Sequence, residues 1–162
     1  MRGNSLKAEL DYYFEELCYL NKLANDKEGS GNKKRKLDIE ILPEKLREPE
    51  QISFILIRLI DLDKLPSFLM RHLKTEYAEV IETNPDVGHR WCELVVKNRF
   101  KACYGDIRYF LTQHQGMGVY LYAEMAMSRN KTLVKLANDI FIDLKHELDR
   151  NTYAVVKNII KQ

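Results

Sequence analysis

His146-Glu147 is the first place where catalysis could be sought, because the pair opens as a zinc-protease helix does. The H-E-x-x-H pattern needs a second histidine four residues on, so that both imidazoles leave one helical face toward the metal. That position holds Arg150, so His146 reads as a solvated helix residue. His72, His89 and His114 stand alone in the sequence and read as surface or capped side chains. A distant pairing such as Cys92 with His114 would supply a nucleophile and a base, but no local signature accompanies it. Gly116-Met117-Gly118 lacks the further glycines, the lysine and the hydroxyl residue of a phosphate loop, and reads as a helix-to-helix turn. Glu15-Glu16 reads as a solvated helix face, and Trp91, set among apolar neighbours, as core.

The run Lys33-Lys34-Arg35-Lys36 is harder to explain as structure. Four adjacent cations beside glycines serve as a nuclear or nucleolar address read by an import receptor, as a weak phosphate-binding patch, or as chance surface charge. Four charges alone give only weak, salt-sensitive attraction to phosphate. The whole chain adds little to that attraction: 26 Lys and Arg face 24 Asp and Glu, for a net charge of +2. A nucleic-acid partner is therefore not expected.

The elements that must position these residues are helical. The 162 residues suffice for one domain with a core, and 45% are apolar. No apolar run approaches the ~20 residues of a membrane span, and the opening MRGNSLKAEL has no secretory apolar block. Three widely spaced cysteines, Cys18, Cys92 and Cys103, fit neither a disulfide framework nor a metal knuckle. They are expected as reduced thiols of a cytoplasmic protein, with the nucleus or nucleolus as the alternative set by the basic run. The sequon Asn130-Lys131-Thr132 is then expected to stay unmodified.

Leu6, Leu10, Tyr13, Phe14 and Leu17 recur at helical spacing, which predicts a helix over 5–24 with Ser5 as its cap, inside an N-terminal segment 1–25. Segment 26–38 has no large apolar residue before Leu37 and reads as a flexible basic linker. The domain proper is expected over 39–162. Region 52–62 is apolar nearly all round; a helix is preferred to a buried strand because no second strand-like run exists to pair with it. Helices are further predicted over 65–81, from Asn84 as cap with Pro85 behind it, over 102–113 and over 119–127. Leu133, Ala137, Ile140, Leu144 and Leu148 form one amphipathic stripe, and Asn151 is expected to cap a last helix. Short links favour antiparallel neighbours, and a stack of such pairs makes an α-superhelix. The expected class is all-α.

The order of features over 77–158 resembles the C-terminal domain of the leukotriene A-4 hydrolase and aminopeptidase B branch of zinc aminopeptidases. The features are Tyr77, Asn84-Pro85-Asp86, Arg90-Trp91 with Leu94 and Val95, Ala102, Phe110-Leu111, Gln115-Gly116, Tyr120 and Phe141. Agreement is looser from about Pro43, and 1–37 match poorly. The resemblance implies a right-handed superhelix of paired antiparallel helices, an armadillo- or HEAT-like α-α stack, closing one side of a substrate cleft. In the family an Arg and a Lys after the Gln-Gly pair attract the substrate carboxylate. Here those positions are Met117 and Val119, so that role does not transfer. The family's later His-Pro is also replaced, by Asn151-Thr152. What transfers is a cleft-lining turn formed by Gln115, Gly116, Met117 and Tyr120.

By the same resemblance, the zinc ligands and general base lie upstream of anything present here. No cofactor is expected on this chain; zinc belongs to the family's catalytic domain. The chain is expected to be an accessory helical domain without activity of its own. Its partners would be the peptide substrate of the parent enzyme or a protein on the concave face of the coil. A free-standing nuclear or nucleolar interaction module is the alternative, and an enzyme whose site is assembled from scattered residues is a third.

Overall fold

The computed structural model describes residues 2–25 and 47–161, which form eight α-helices and, among the described residues, no strand. In chain order these are α1 (Arg2–Asn25), α2 (Pro49–Ile60), α3 (Ser67–Thr83), α4 (Pro85–Asn98), α5 (Tyr104–Gln113), α6 (Val119–Met127), α7 (Lys131–Leu144) and α8 (Arg150–Lys161). The expected linker 26–38, with Lys33, Lys34, Arg35 and Lys36, lies outside the described residues. No described helix is long and apolar enough to cross a membrane.

The apolar region 52–62 is helical through Ile60, as the reading of a helix rather than a strand expected. Ile52, Ile55, Leu56 and Leu59 are buried, while Phe54 and Ile57 stay 40% exposed on the opposite side. Pro49 opens α2, and Glu48 with Gln51 forms a capping box. The Asn84 side chain accepts the Val87 N–H at 3.1 Å, starting α4, and Asn130 accepts the Leu133 N–H at 3.1 Å, starting α7. The sequon asparagine is thus occupied as a helix cap.

Several boundaries differ from the sequence reading; α2 ends at Ile60, and α3 runs from Ser67 to Thr83 rather than over 65–81. α1 already runs at Arg2, so Ser5 lies inside it and is not its cap. A 3₁₀ turn, Lys101–Cys103, precedes α5, which begins at Tyr104 rather than at Ala102. α7 stops at Leu144, so Leu148 packs against the core from the turn beyond and not from the helical stripe. The cap of α8 is Asp149, not Asn151: its carboxylate accepts the Thr152 N–H at 2.9 Å. Asp149 stands three residues before that amide, the spacing an N-cap bond needs.

α4 lies at the centre, packed against α2, α3, α5 and α6. Its buried face carries Val87, Trp91, Cys92, Leu94, Val95 and Val96. Alternate helices also meet, α2 with α4, α4 with α6, and α6 with α8 in one series, and α5 with α7 in the other. α1 rests on α2 through a stripe in which Leu10, Tyr13 and Leu17 are buried.

The cap assignments are directly measurable. Asn84→Ala is expected to lower unfolding free energy by about 1 kcal/mol in urea titrations. Asp149→Ala should also destabilise, whereas Asn151→Ala should leave the midpoint in place. A loss at Asn151 as large as that at Asn84 would contradict the observed start of α8.

Candidate functional site

The polar groups of the domain converge where α3, α4 and α5 meet. Asp106 sits in the first turn of α5, where a carboxylate is favoured by the helix dipole. Its Oδ2 accepts Lys74 Nζ from α3 at 2.8 Å and Trp91 Nε1 from α4 at 2.9 Å. Cys92 donates its thiol to the Asp106 carbonyl at 3.7 Å. One residue of α5 therefore holds side chains from the two helices before it.

Beside this knot is an open cleft of about 240 Å³. Lys74 and Glu82 of α3 form one wall, Asp106, Tyr109 and Phe110 of α5 the other, with His114 at its end and Gly88 and Cys92 on the floor. Gly88 makes this geometry possible. A Cβ there would come within 2.8 Å of the Ile81 carbonyl oxygen and 3.2 Å of the Phe110 ring, so any larger residue would force α4 off its neighbours. Gly118 acts similarly at the start of α6, where a Cβ would meet Leu111 Cδ2 at 2.3 Å.

The histidines read as solitary are not all so. His89 Nδ1 lies 3.5 Å from Glu93 Oε2, one helical turn along α4. The His89 ring meets Phe110 edge-on at 5.5 Å and Tyr120 at 6.0 Å, and His114 packs on Phe110 at 5.1 Å. Glu93 also accepts Arg90 Nη1 at 3.0 Å. Burial by itself would raise the Glu93 carboxyl, but hydrogen bonds and charge from His89 and Arg90 outweigh it and hold the pKa below the ordinary value. The i,i+4 spacing of His89 and Glu93 could have revealed this pair from sequence. Asp106 carried no such signal, since its partners lie 15 and 32 residues away.

The expected turn is where the sequence placed it. Gln115–Met117 is a 3₁₀ turn between α5 and α6. Gln115 donates to Glu147 Oε2 at 3.2 Å. Gly116 and Met117 are exposed, and Tyr120 is half-exposed above His89. His114, at the end of the cleft, directly precedes the turn, while Gln115, Gly116, Met117 and Tyr120 do not line the cleft itself.

Nucleophilic chemistry is poorly served here. Cys92 and His114 do line one cleft, but burial and then the Asp106 charge raise the Cys92 thiol far above its usual range. Burial, with Asp106 again, pushes Cys103 up to about 11. A thiol that is neutral and already bonded to a carbonyl is a poor nucleophile. His146 is exposed in the turn after α7, without the second histidine a metal helix would present. Among the described residues no three His, Cys, Asp or Glu side chains converge as metal ligands, so the donor set here does not fit zinc.

The fold defines a class: among the described residues, an all-α domain of eight helices packed about α4. The family model described as leukotriene A4 hydrolase, C-terminal, matches residues 48–160, and the chain belongs to that family. It is 33% identical over 128 residues to Aminopeptidase O of Homo sapiens, covering 79% of this chain and 15% of that protein. Against Aminopeptidase O of Mus musculus it is 35% identical over 121 residues, covering 75% and 14%. The chain thus spans about a seventh of the length of the curated relatives it matches. No solved structure gives a significant match.

Two outcomes test this site. Asp106→Ala is expected to cost about 2 kcal/mol, because it leaves a partly buried ammonium and an indole N–H without their acceptor. Trp91 is the chain's single tryptophan, so the same variant should shift its fluorescence emission. Unchanged emission would deny the bond. Glu93, with its folded pKa depressed, contributes stability that is fully present above the ordinary glutamate value of about 4.3 and is lost as pH falls through the lowered one. Glu93→Gln should therefore be less stable near neutrality and flatter in its acid limb. Parallel acid limbs in urea midpoints measured from neutral to acid pH would refute that contribution.

Proposed function

We propose that this chain works as the accessory C-terminal helical domain of a zinc aminopeptidase, a right-handed stack of helix pairs that shapes one wall of the substrate cleft or docks a partner. The observation that supports it above all is that the family match ends within the helical stack, 48–160, and takes in every residue of the cleft and the turn. Alternate helices meeting side by side fit such a stack.

In this reading the zinc, its ligands and the general base belong to another part of the enzyme. The domain contributes a surface. At the turn, Met117 and Val119 carry no charge, so this wall would contact a peptide through shape and the aromatic edge of Tyr120 and His89 rather than by clamping a carboxylate. The nearby guanidinium of Arg90 is paired with Glu93 at 3.0 Å.

The purified chain, assayed with aminoacyl amides and added zinc, should show no turnover above buffer. Substituted for the matching segment of human Aminopeptidase O, it should sustain aminopeptidase activity. Tyr120→Ala in that chimera should raise KM several-fold with little change in kcat. Turnover by the isolated chain that survives repurification, or a folded but inactive chimera, would overturn the proposal.

A further inference from the structure

α1 lies outside the matched segment 48–160, yet it is fastened to α2 and α3 by a defined set of contacts. Arg58 of α2 pairs with Asp11, Nη1 to Oδ1, at 2.5 Å. Its guanidinium lies over the Phe14 ring, 4.0 Å from the centroid, and 5.5 Å from the centroid of Phe54 on α2 itself. The Tyr77 hydroxyl of α3 bonds to the Tyr13 hydroxyl at 3.3 Å. Leu10, Tyr13 and Leu17 are buried, while Tyr12 and Tyr19 on the far side are more than 60% exposed. A carboxylate and a phenyl ring one turn apart bracket a guanidinium well, since one takes the fork and the other the face.

Connectivity separates this contact from the rest of the stack. α3 and α4 are joined by Asn84 alone, and such a link compels its helices to pack as neighbours. α1 and α2 are separated by 26–48, a connection that imposes no adjacency. The seating of α1 is therefore decided by side-chain recognition. The ion pair at its heart is a rim pair, with Arg58 32% and Asp11 41% exposed, of the kind that adds selectivity and modest energy. The first repeat of a helical stack has an open face that needs a polar-backed cover, and α1 has that composition.

We infer that the α2–α3 face is a helix-docking surface read by Arg58, and that α1 is its occupant in cis, a detachable cap. The ligand class is an amphipathic helix with Asp-x-x-Phe beside a Leu, Tyr, Leu stripe. Any partner helix for this face must carry that pattern and displace α1. This inference is independent of any aminopeptidase role.

The test uses the whole chain. Hydrogen exchange by mass spectrometry compares the parent with a variant carrying Asp11→Lys and Phe14→Ala. Expected is loss of protection in α1 by at least tenfold while α4 exchanges as in the parent. If α1 and α4 lose protection together, or if α1 keeps it, the cap is not a separately recognised unit and the inference fails. A labelled synthetic peptide of residues 2–25 should bind this variant, whose own cap is released, and bind the parent at least tenfold more weakly. Peptide bearing both substitutions should bind neither; equal binding by that peptide would reject Arg58 as the reader.

Discussion

Asp106 ties three consecutive helices to one carboxylate. Its position in the first turn of α5 gives it the helix dipole, and one of its oxygens then serves two neighbours. An ammonium drawn from α3 and an indole N–H buried in α4 both need an acceptor, and both find the same Oδ2. Removing an acceptor from groups that have left water costs more than the bond's net contribution, because the donors stay behind unpaired. This fixes the rotation of α4 about its axis, for Trp91 can reach Asp106 only with its ring turned into the core. With α4 so turned, Gly88 faces the end of α3 and His89 faces Phe110, and the cleft acquires its floor and its rim.

The same pairing engages several of the groups that could otherwise do chemistry. Lys74 is engaged by Asp106, Cys92 by the Asp106 carbonyl, and His89 and Arg90 by Glu93. A nucleophile must be activated by a base that is otherwise idle. Burial beside a carboxylate drives both neighbouring thiols toward their neutral forms.

Local rules reached most of the fold. Asn84-Pro85 announced α4, and the stripe of α7 followed from spacing alone, because caps and periodicity act within one or two turns. The misplacements were local competitions. Asp149 and Asn151 are both good caps two residues apart, and the chain used the carboxylate. Leu148 keeps the rhythm of α7 but belongs to the next turn, since the core needs its side chain and not its helical backbone. Gly116-Met117-Gly118 announced a turn between helices, and a 3₁₀ turn lies at Gln115–Met117. The resemblance could not carry Asp106, whose meaning lies in partners from two other helices, nor the His89–Glu93 pair, which is only a spacing until Phe110 and Tyr120 close on it.

Two kinds of cohesion thus coexist in one chain. From α2 to α8 the links are short, the helices have little freedom of placement, and pairing of side chains refines what connectivity imposes. At α1 side-chain recognition carries the contact, Arg58 with Asp11 and Phe14, and Tyr77 with Tyr13. Such recognition requires residues that are partly exposed, charged and aromatic, because a purely apolar stripe would accept any greasy helix and specify no orientation. Arg58, clasped by Asp11 and Phe14 and backed by Phe54, has that character, whereas the buried face of α4 does not. A domain whose first face is selective in this way is able to meet other helices on terms set by a guanidinium, and its behaviour at that face is separable from anything its central cleft does.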